Sequence, residues 1–406
     1  MNEPEKPLNP DHDLSAHLVE AGRHGVPHTP IANTPVYRAS TILFDSIEQT
    51  QVTGPKTVTG ERHATSYGTV GTSTTFALMD ALAEIEGRGH DTRAALAPSG
   101  LAAITTALLA FLKPGDHMLM SDSVYGPART FANGLLAKFG VKTTFFSPQA
   151  SPQALEQLAT ENTKVVFLES PGSYTFEIHD TPALCAWARG KGIVSVIDNT
   201  WASPVFARPF DWGVDVSLIA LTKYWSGHSD VLMGGMVIRR ELWPTLWTAV
   251  RQLGQCVGGD DAFLVLRGLR TAEVRMRQHE KSALQVAEWL TARPEVKSVL
   301  HPGLETHPQH ALWKRDFLGA SGLFSFELQP GTSFAQVCAL CNDRKHFGIG
   351  YSWAGFESLI MAAQITQLRS IQPWTGGPLI RLNIGLEDPA SLIKDLELGF
   401  LKAFPR

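Results

Sequence analysis

Two stretches decide the fold: Val194-Ser195-Val196-Ile197-Asp198-Asn199-Thr200-Trp201, and Val214-Asp215-Val216-Ser217-Leu218-Ile219-Ala220-Leu221-Thr222-Lys223-Tyr224. Each is a run of strand-forming residues that ends in a polar turn. In an open α/β sheet the loop ends of parallel strands border the ligand crevice, so Asp198 and Lys223 are expected to face one site. A carboxylate and an amine in that position suit pyridoxal phosphate. Its aldehyde forms an imine with a lysine, and an acid keeps its ring nitrogen protonated so that the ring can accept electrons from a carbanion. Each residue also has a plainer reading. Asp198 could be a polar strand end at the surface, and Lys223 could cap its strand there.

Working outward, the pattern is that of alternating strands and helices. Strand-like runs are expected at 94–97, 117–121, 142–146, 165–169, 194–198 and 216–221, with helices at 74–86, 100–111, 127–139 and 182–191 between them. That rhythm predicts a mostly parallel sheet covered by helices. A long helix is expected from about 260 through 277 to 290, joining a smaller second domain. That domain holds strands at 322–328 and 379–384 and helices at 334–341 and 390–400. Residues 1 to about 70, rich in Pro, His, Thr and Gly, read as an extended arm. The expected domains are thus 1–71, 72–268 and 269–406.

Composition narrows the function classes. The 406 residues are 44% hydrophobic and 18% charged, as in an ordinary compact protein. A formal net charge of -4 without a block of Lys or Arg suggests neither nucleic acid nor an anionic membrane as partner. Small molecules are the better expectation. Met1-Asn2-Glu3-Pro4-Glu5 does not resemble a signal peptide, and residues 101–112 are too short an apolar stretch to cross a bilayer. Four cysteines are too few for a disulfide framework, which fits a reducing cytoplasm. Cys338 and Cys341 form a CxxC, but without a second pair nearby they read as two buried positions on one helix face rather than a zinc or redox site.

Other turns could complete a site. Ala97-Pro98-Ser99-Gly100-Leu101 joins a strand to a helix, an arrangement that offers backbone N–H groups and a positive dipole end to a phosphate. Gly100 would allow close approach, and the hydroxyl of Thr222 could add to the same anion. Tyr125, just past another strand, could stack on a cofactor ring or sit half-buried in its loop.

Residues 197–201 together with Thr222-Lys223-Tyr224-Trp225-Ser226-Gly227-His228-Ser229-Asp230 resemble the signature of the Cys/Met metabolism family of pyridoxal phosphate enzymes. The similarity runs from about Arg38 to Phe400. It implies fold-type I architecture, like that of aspartate aminotransferase: a seven-stranded, mostly parallel sheet domain plus a smaller C-terminal α/β domain. Within the family the chain is most similar to bacterial cystathionine β-lyases. Leu168-Glu169-Ser170-Pro171-Gly172-Ser173 carries Ser173 where γ-acting members usually have Asn, near the cofactor's phenolic oxygen. Residues 351–359 resemble the β-lyase segment bearing an active-site tryptophan, and residues 379–388 resemble the region whose arginine grips the substrate carboxylate.

The resemblance assigns roles residue by residue. Lys223 would hold the cofactor and move the α-proton, Asp198 would pair with the ring nitrogen, and Tyr125 would stack on the ring. Gly100, Leu101 and Thr222 would bind the phosphate. Arg381 and Ser352 would hold the substrate carboxylate, with Trp353 shaping that pocket. Tyr67 matches a tyrosine that reaches the neighbouring subunit's site, so a homotetramer built from dimers is implied.

Two positions depart from the family pattern. Thr69 stands where an arginine is usually donated to the phosphate across the interface, with Arg62 close enough in sequence to compensate. Arg251 stands where β-lyases often place a tyrosine, and could either favour a substrate with a distal carboxylate or be solvated. The implied reaction is β-elimination of L-cystathionine to homocysteine, pyruvate and ammonia. The rival readings are a γ-acting relative (methionine γ-lyase, cystathionine γ-lyase or γ-synthase), a low-turnover pyridoxal phosphate-binding regulatory protein, and a dinucleotide oxidoreductase. The last is disfavoured because no GxGxxG follows an early strand.

Overall fold

The computed structural model describes residues 14–23, 31–365 and 368–405, and Met1 to Glu5 lie outside them. Seven strands form the larger sheet: β1 (Thr92–Ala97), β2 (His117–Ser121), β3 (Lys142–Phe146), β4 (Thr163–Glu169), β5 (Val194–Asp198), β6 (Val216–Ala220) and β7 (Gly234–Arg239). Their order is β1-β7-β6-β5-β4-β2-β3. Only β7 runs against its neighbours, pairing antiparallel with both β1 and β6. Strand residues alternate between two cores. Val165 and Phe167 of β4 face one, with Val196 of β5, while Val166, Leu168 and Ile197 face the other. Apolar side chains on both faces are what a parallel sheet buried between helix layers requires.

Helices Ser73–Glu86 and Gly100–Phe111 pack against this sheet. The second sheet contains β8 (Val296–Leu300), β9 (Leu323–Leu328), β10 (Phe347–Gly348), β11 (Ser358–Ala363) and β12 (Leu379–Asn383), in the order β10-β11-β12-β9-β8. Phe324, Phe326, Ile360, Ile380 and Leu382 close its core against helices Ala272–Thr291 and Pro389–Ala403.

Four expectations need correction. The arm is not wholly extended, because Leu14–Glu20 and Ile47–Thr59 are helices, the second despite Pro55 inside it. Ser46 caps its start and Gly60 (φ 68°) its end, and the indole N–H groups of Trp247 and Trp243 donate to Thr57 O (2.9 Å) and Gly60 O (3.2 Å). The expected helix over 260–290 is two, Gly259–Leu269 and Ala272–Thr291. The break lets buried Arg275 donate to both Gly268 O and Tyr224 O, at 2.8 Å each. The expected helix over 127–139 is α-helical over Gly126–Phe131 and widens into a π turn over Ala132–Leu136. Cys338 is only half-buried, whereas burial pushes the Cys341 thiol up to about 12. Among the described residues no helix is long and apolar enough to cross a membrane.

Candidate active site

Parallel strands β4, β5 and β6 end together, and their C-terminal edge carries Glu169, Asp198 and the turn to Lys223. Asp198 is tied down on one side only. Its Oδ1 accepts from Thr200 N (3.0 Å) and Thr200 Oγ1 (2.5 Å), and Thr200 Oγ1 in turn accepts from Ala220 N (2.9 Å), locking the end of β5 to that of β6. Among the described residues no donor reaches Oδ2. Burial raises the Asp198 carboxyl, opposed by the Thr200 bonds and by Lys223. A cationic N–H donor at Oδ2 would therefore be well matched, since a half-buried carboxylate gains most from a charged partner.

The Lys223 amine donates to Ser352 Oγ and lies 5.1 Å from the Trp353 ring centroid. Burial, then the Arg381 cation, bring this amine down to about 8 against the pull of Asp198. A lysine so placed is neutral over part of the working pH range and can act as nucleophile or base. Ser352 also joins the amine to Arg381, whose Nη2 donates to the Ser352 carbonyl at 3.1 Å. Both Ser352 (φ 77°) and Ala354 (φ 71°) hold left-handed backbone. Strain of that kind persists where surrounding contacts over-determine the turn, here the bonds from Lys223 and Arg381 and Ala354 N to Asn383 Oδ1 (2.9 Å).

At the start of helix Gly100–Phe111 the Ser99 hydroxyl accepts from Ala102 N (3.1 Å) and its carbonyl accepts from Ala103 N (3.0 Å). Among the described residues the N–H groups of Gly100 and Leu101 have no acceptor, which leaves an anion cradle at a helix start. Gly100 itself has a structural reason to be glycine. A Cβ there would stand 2.8 Å from Ala220 Cβ of β6, so close helix–strand packing by itself calls for glycine here. The Thr222 hydroxyl donates to Met233 O (3.3 Å) and accepts from Met233 N (3.0 Å), so its hydrogen is already used.

Tyr125 is 44% exposed, and burial followed by Asp198 pushes its phenol upward. Its backbone N–H donates to Glu169 Oε2 at 2.5 Å. Ser173 is held by its N–H to Ser123 O at 2.7 Å. Tyr67 (51% exposed) pairs with Thr41 in an isolated bridge, and Thr69 is exposed. Neither touches Lys223, Asp198 or Arg381 within this chain. Arg251 also stands apart, exposed, its Nη1 3.5 Å from Val58 O.

Sequence reasoning missed Glu169 and Tyr174. Glu169 carries the same signal as Asp198, an acid closing an apolar strand. Tyr174, 5.3 Å from the Arg381 guanidinium to the ring centroid, carries no local signal, because its partner is distant in sequence.

An amine, a carboxylate with one free oxygen, two free amides at a helix start and an exposed aromatic residue form a donor set that suits pyridoxal phosphate. The family model for Cys/Met metabolism PLP-dependent enzymes matches residues 15–401. The chain belongs to that family. Its cofactor is pyridoxal phosphate. It is 42% identical over 398 residues to cystathionine beta-lyase MetC of Escherichia coli K12, covering 97% of this chain and 99% of that one. It is 41% identical over 393 residues to the L-alanine/L-glutamate racemase of Wolbachia pipientis wMel, covering 95% and 96%. Among solved structures, cystathionine gamma synthase from Xanthomonas oryzae pv. oryzae, in complex with aminoacrylate and cysteine, superposes with a TM-score of 0.85. Its identity is 32%, over 97% of this chain and 98% of that one.

Proposed function

We propose that the chain is a carbon–sulfur lyase that cleaves the Cβ–S bond of L-cystathionine or a related cysteine S-conjugate. The observation that carries the reading is the Lys223–Ser352–Arg381 arrangement, which joins a proton-accepting amine to a carboxylate-binding fork through one residue. Similarity to the E. coli β-lyase supports β over γ chemistry, as does Trp353 beside the amine.

Pyridoxal phosphate, when bound, supplies an electron sink for the α-carbanion. Lys223 would hold it covalently and, once released by substrate, take the α-proton on Nζ. Asp198 Oδ2 would keep the ring nitrogen protonated, the Gly100 and Leu101 amides would take the phosphate, and Tyr125 would cover the ring. Arg381 has in-plane N–H groups to spare for the substrate α-carboxylate, with Ser352 beside it. The thiolate then leaves, and cystathionine plus water gives homocysteine, pyruvate and ammonia. Proton return from Lys223 would also allow slow racemisation, a reading favoured by the likeness to the racemase.

The assembly is a homotetramer, a dimer of dimers, in the cytoplasm. Supporting it are exposed apolar residues along the arm, Leu43, Ile47, Val52 and Val58, beside the outlying Tyr67 and Thr69. Such a run of apolar surface suits a partner subunit. The break between Leu269 and Ala272 supports a domain boundary near 268, with the arm ending near 71.

The test is to incubate purified, cofactor-loaded protein with L-cystathionine and identify the products. Pyruvate and homocysteine support the reading. 2-Oxobutyrate and cysteine would move the enzyme to the γ-acting branch.

A further inference from the structure

Tyr174 sits at the apex of a three-residue turn closed by Thr175 N–H to Ser173 O at 2.9 Å, with φ 68°. That is the rarer hand of this turn and is unfavourable for a bulky side chain. Something must hold it, and Arg369 does. From a buried position its Nη2 donates to Ser173 O (2.7 Å) and Thr175 Oγ1 (2.5 Å), the residues on either side of Tyr174, while Nη1 donates to Asp122 O (2.9 Å). Ser173 N–H to Ser123 O (2.7 Å) and Phe176 N–H to Gly172 O (3.0 Å) complete the clamp. The result aims a half-buried aromatic ring at Arg381, whose guanidinium carbon lies 5.3 Å from its centroid.

We infer that Tyr174 is a positioning residue for the carboxylate grip. A planar cation that meets an aromatic ring is attracted to its face and keeps its N–H donors in its own plane. One of those donors is spent on the Ser352 carbonyl, so the ring and Ser352 together fix the direction in which the remaining donors present. Pre-set direction favours a planar carboxylate that can take two parallel hydrogen bonds. Tyr174 thereby contributes to recognition of the α-carboxylate without touching the bond that breaks. The inference rests on the reading of Arg381 as the carboxylate grip.

The test compares cofactor-loaded wild type, Tyr174→Phe and Tyr174→Asn. Asparagine tolerates left-handed backbone, so that variant removes the ring while easing the turn. L-alanine and ethylamine, which differ by the carboxylate, are titrated against the visible absorbance. Wild type should prefer L-alanine. Tyr174→Asn should weaken L-alanine binding and raise KM for cystathionine about tenfold, as loss of a partly desolvated cation–π contact would, with kcat changed by less than about twofold. Ethylamine binding should not change, and Tyr174→Phe should behave as wild type. Unaltered L-alanine binding in Tyr174→Asn, or an equal loss for ethylamine, overturns the inference. Absence of a carboxylate preference in wild type overturns it together with the role of Arg381. Products other than pyruvate would overturn only the reaction assignment, because the titration reads carboxylate binding whatever the products.

Discussion

Glu169 and Asp198 are register partners on adjacent parallel strands, so two carboxyl groups leave the same face of the sheet at its ligand edge. Burial, and then the neighbouring Asp198, push the Glu169 carboxyl well above the ordinary carboxylate range. Two like charges so close are costly, so a proton goes first to the group whose charge is less well held. Asp198 is held toward its charged form by two Thr200 bonds and by Lys223, whereas Glu169 has one bond, from the Tyr125 N–H, and the weaker pull of Arg369.

Glu169→Gln should therefore be mild, because the amide oxygen still accepts from Tyr125 N and burial beside Asp198 already disfavours a charge at this position. Asp198→Asn should be severe, with kcat down by about a hundredfold or more, since an amide cannot hold the proton on the cofactor ring. Steady-state rates with cystathionine and the visible spectrum of each variant check this contrast. Equal losses in the two variants would mean that Glu169 works as an anion.

Glu86, the last residue of its helix, is 3% exposed. One oxygen accepts from Asn199 Nδ2 (2.8 Å) and Ser217 Oγ (2.5 Å), and the other has no hydrogen-bond partner among the described residues. Burial pushes this carboxyl from 4.5 up to about 7. The folded chain thus binds the proton more tightly than the unfolded one. Its contribution is fully present below pH 4.5 and is lost as pH rises through about 7. Over that window the loss is roughly 3 kcal/mol. Urea unfolding of wild type should show a fall in stability across this range that Glu86→Gln flattens. A parallel fall in both would show that other groups set the slope.

How much was legible in the sequence depended on where each residue's partner lies. Asp198 and Lys223 stand at the ends of apolar runs, so the crevice could be read from them alone. Strand β7 could not, because Gly234 and Gly235 weaken its signal. Those glycines exist for distant neighbours, since a Cβ at Gly234 would meet Ala103 at 2.8 Å and the Ser99 carbonyl still closer. The helix Ile47–Thr59 was hidden in the same way, its sequence interrupted by Gly54 and Pro55 and its last turn held by two indoles from residues 243 and 247. Gly268 hid the break in the long helix, since its only reason is the close backbone of Trp225 and Ser226.

Thr69 gives a prediction about cofactor affinity. Arg62, the nearest arginine in sequence that could replace the missing cation, already donates from Nε to Asp80 at 3.0 Å. A charge-assisted hydrogen bond contributes roughly 1.5–3 kcal/mol, so Thr69→Arg should tighten pyridoxal phosphate binding about tenfold to a hundredfold. Titration of the apoprotein at a fixed subunit concentration measures this. An unchanged or larger Kd would show that another group already serves the phosphate.

Lys223 gives the last prediction, because its amine must be neutral to attack an aldehyde. With the amine brought down to about 8, cofactor capture by the apoprotein should accelerate as pH rises and level off above that value. Burial is the largest cause and Arg381 the next, so removing the cation without opening the cleft tests the second alone. In Arg381→Met the midpoint should move upward, toward the ordinary lysine value of 10.5, because a protonated amine no longer faces a like charge. Stopped-flow absorbance after mixing apoprotein with pyridoxal phosphate across pH gives both midpoints. A wild-type midpoint near 10.5, or no upward shift in Arg381→Met, would mean that the two cations do not sense one another and that the carboxylate grip lies apart from the base.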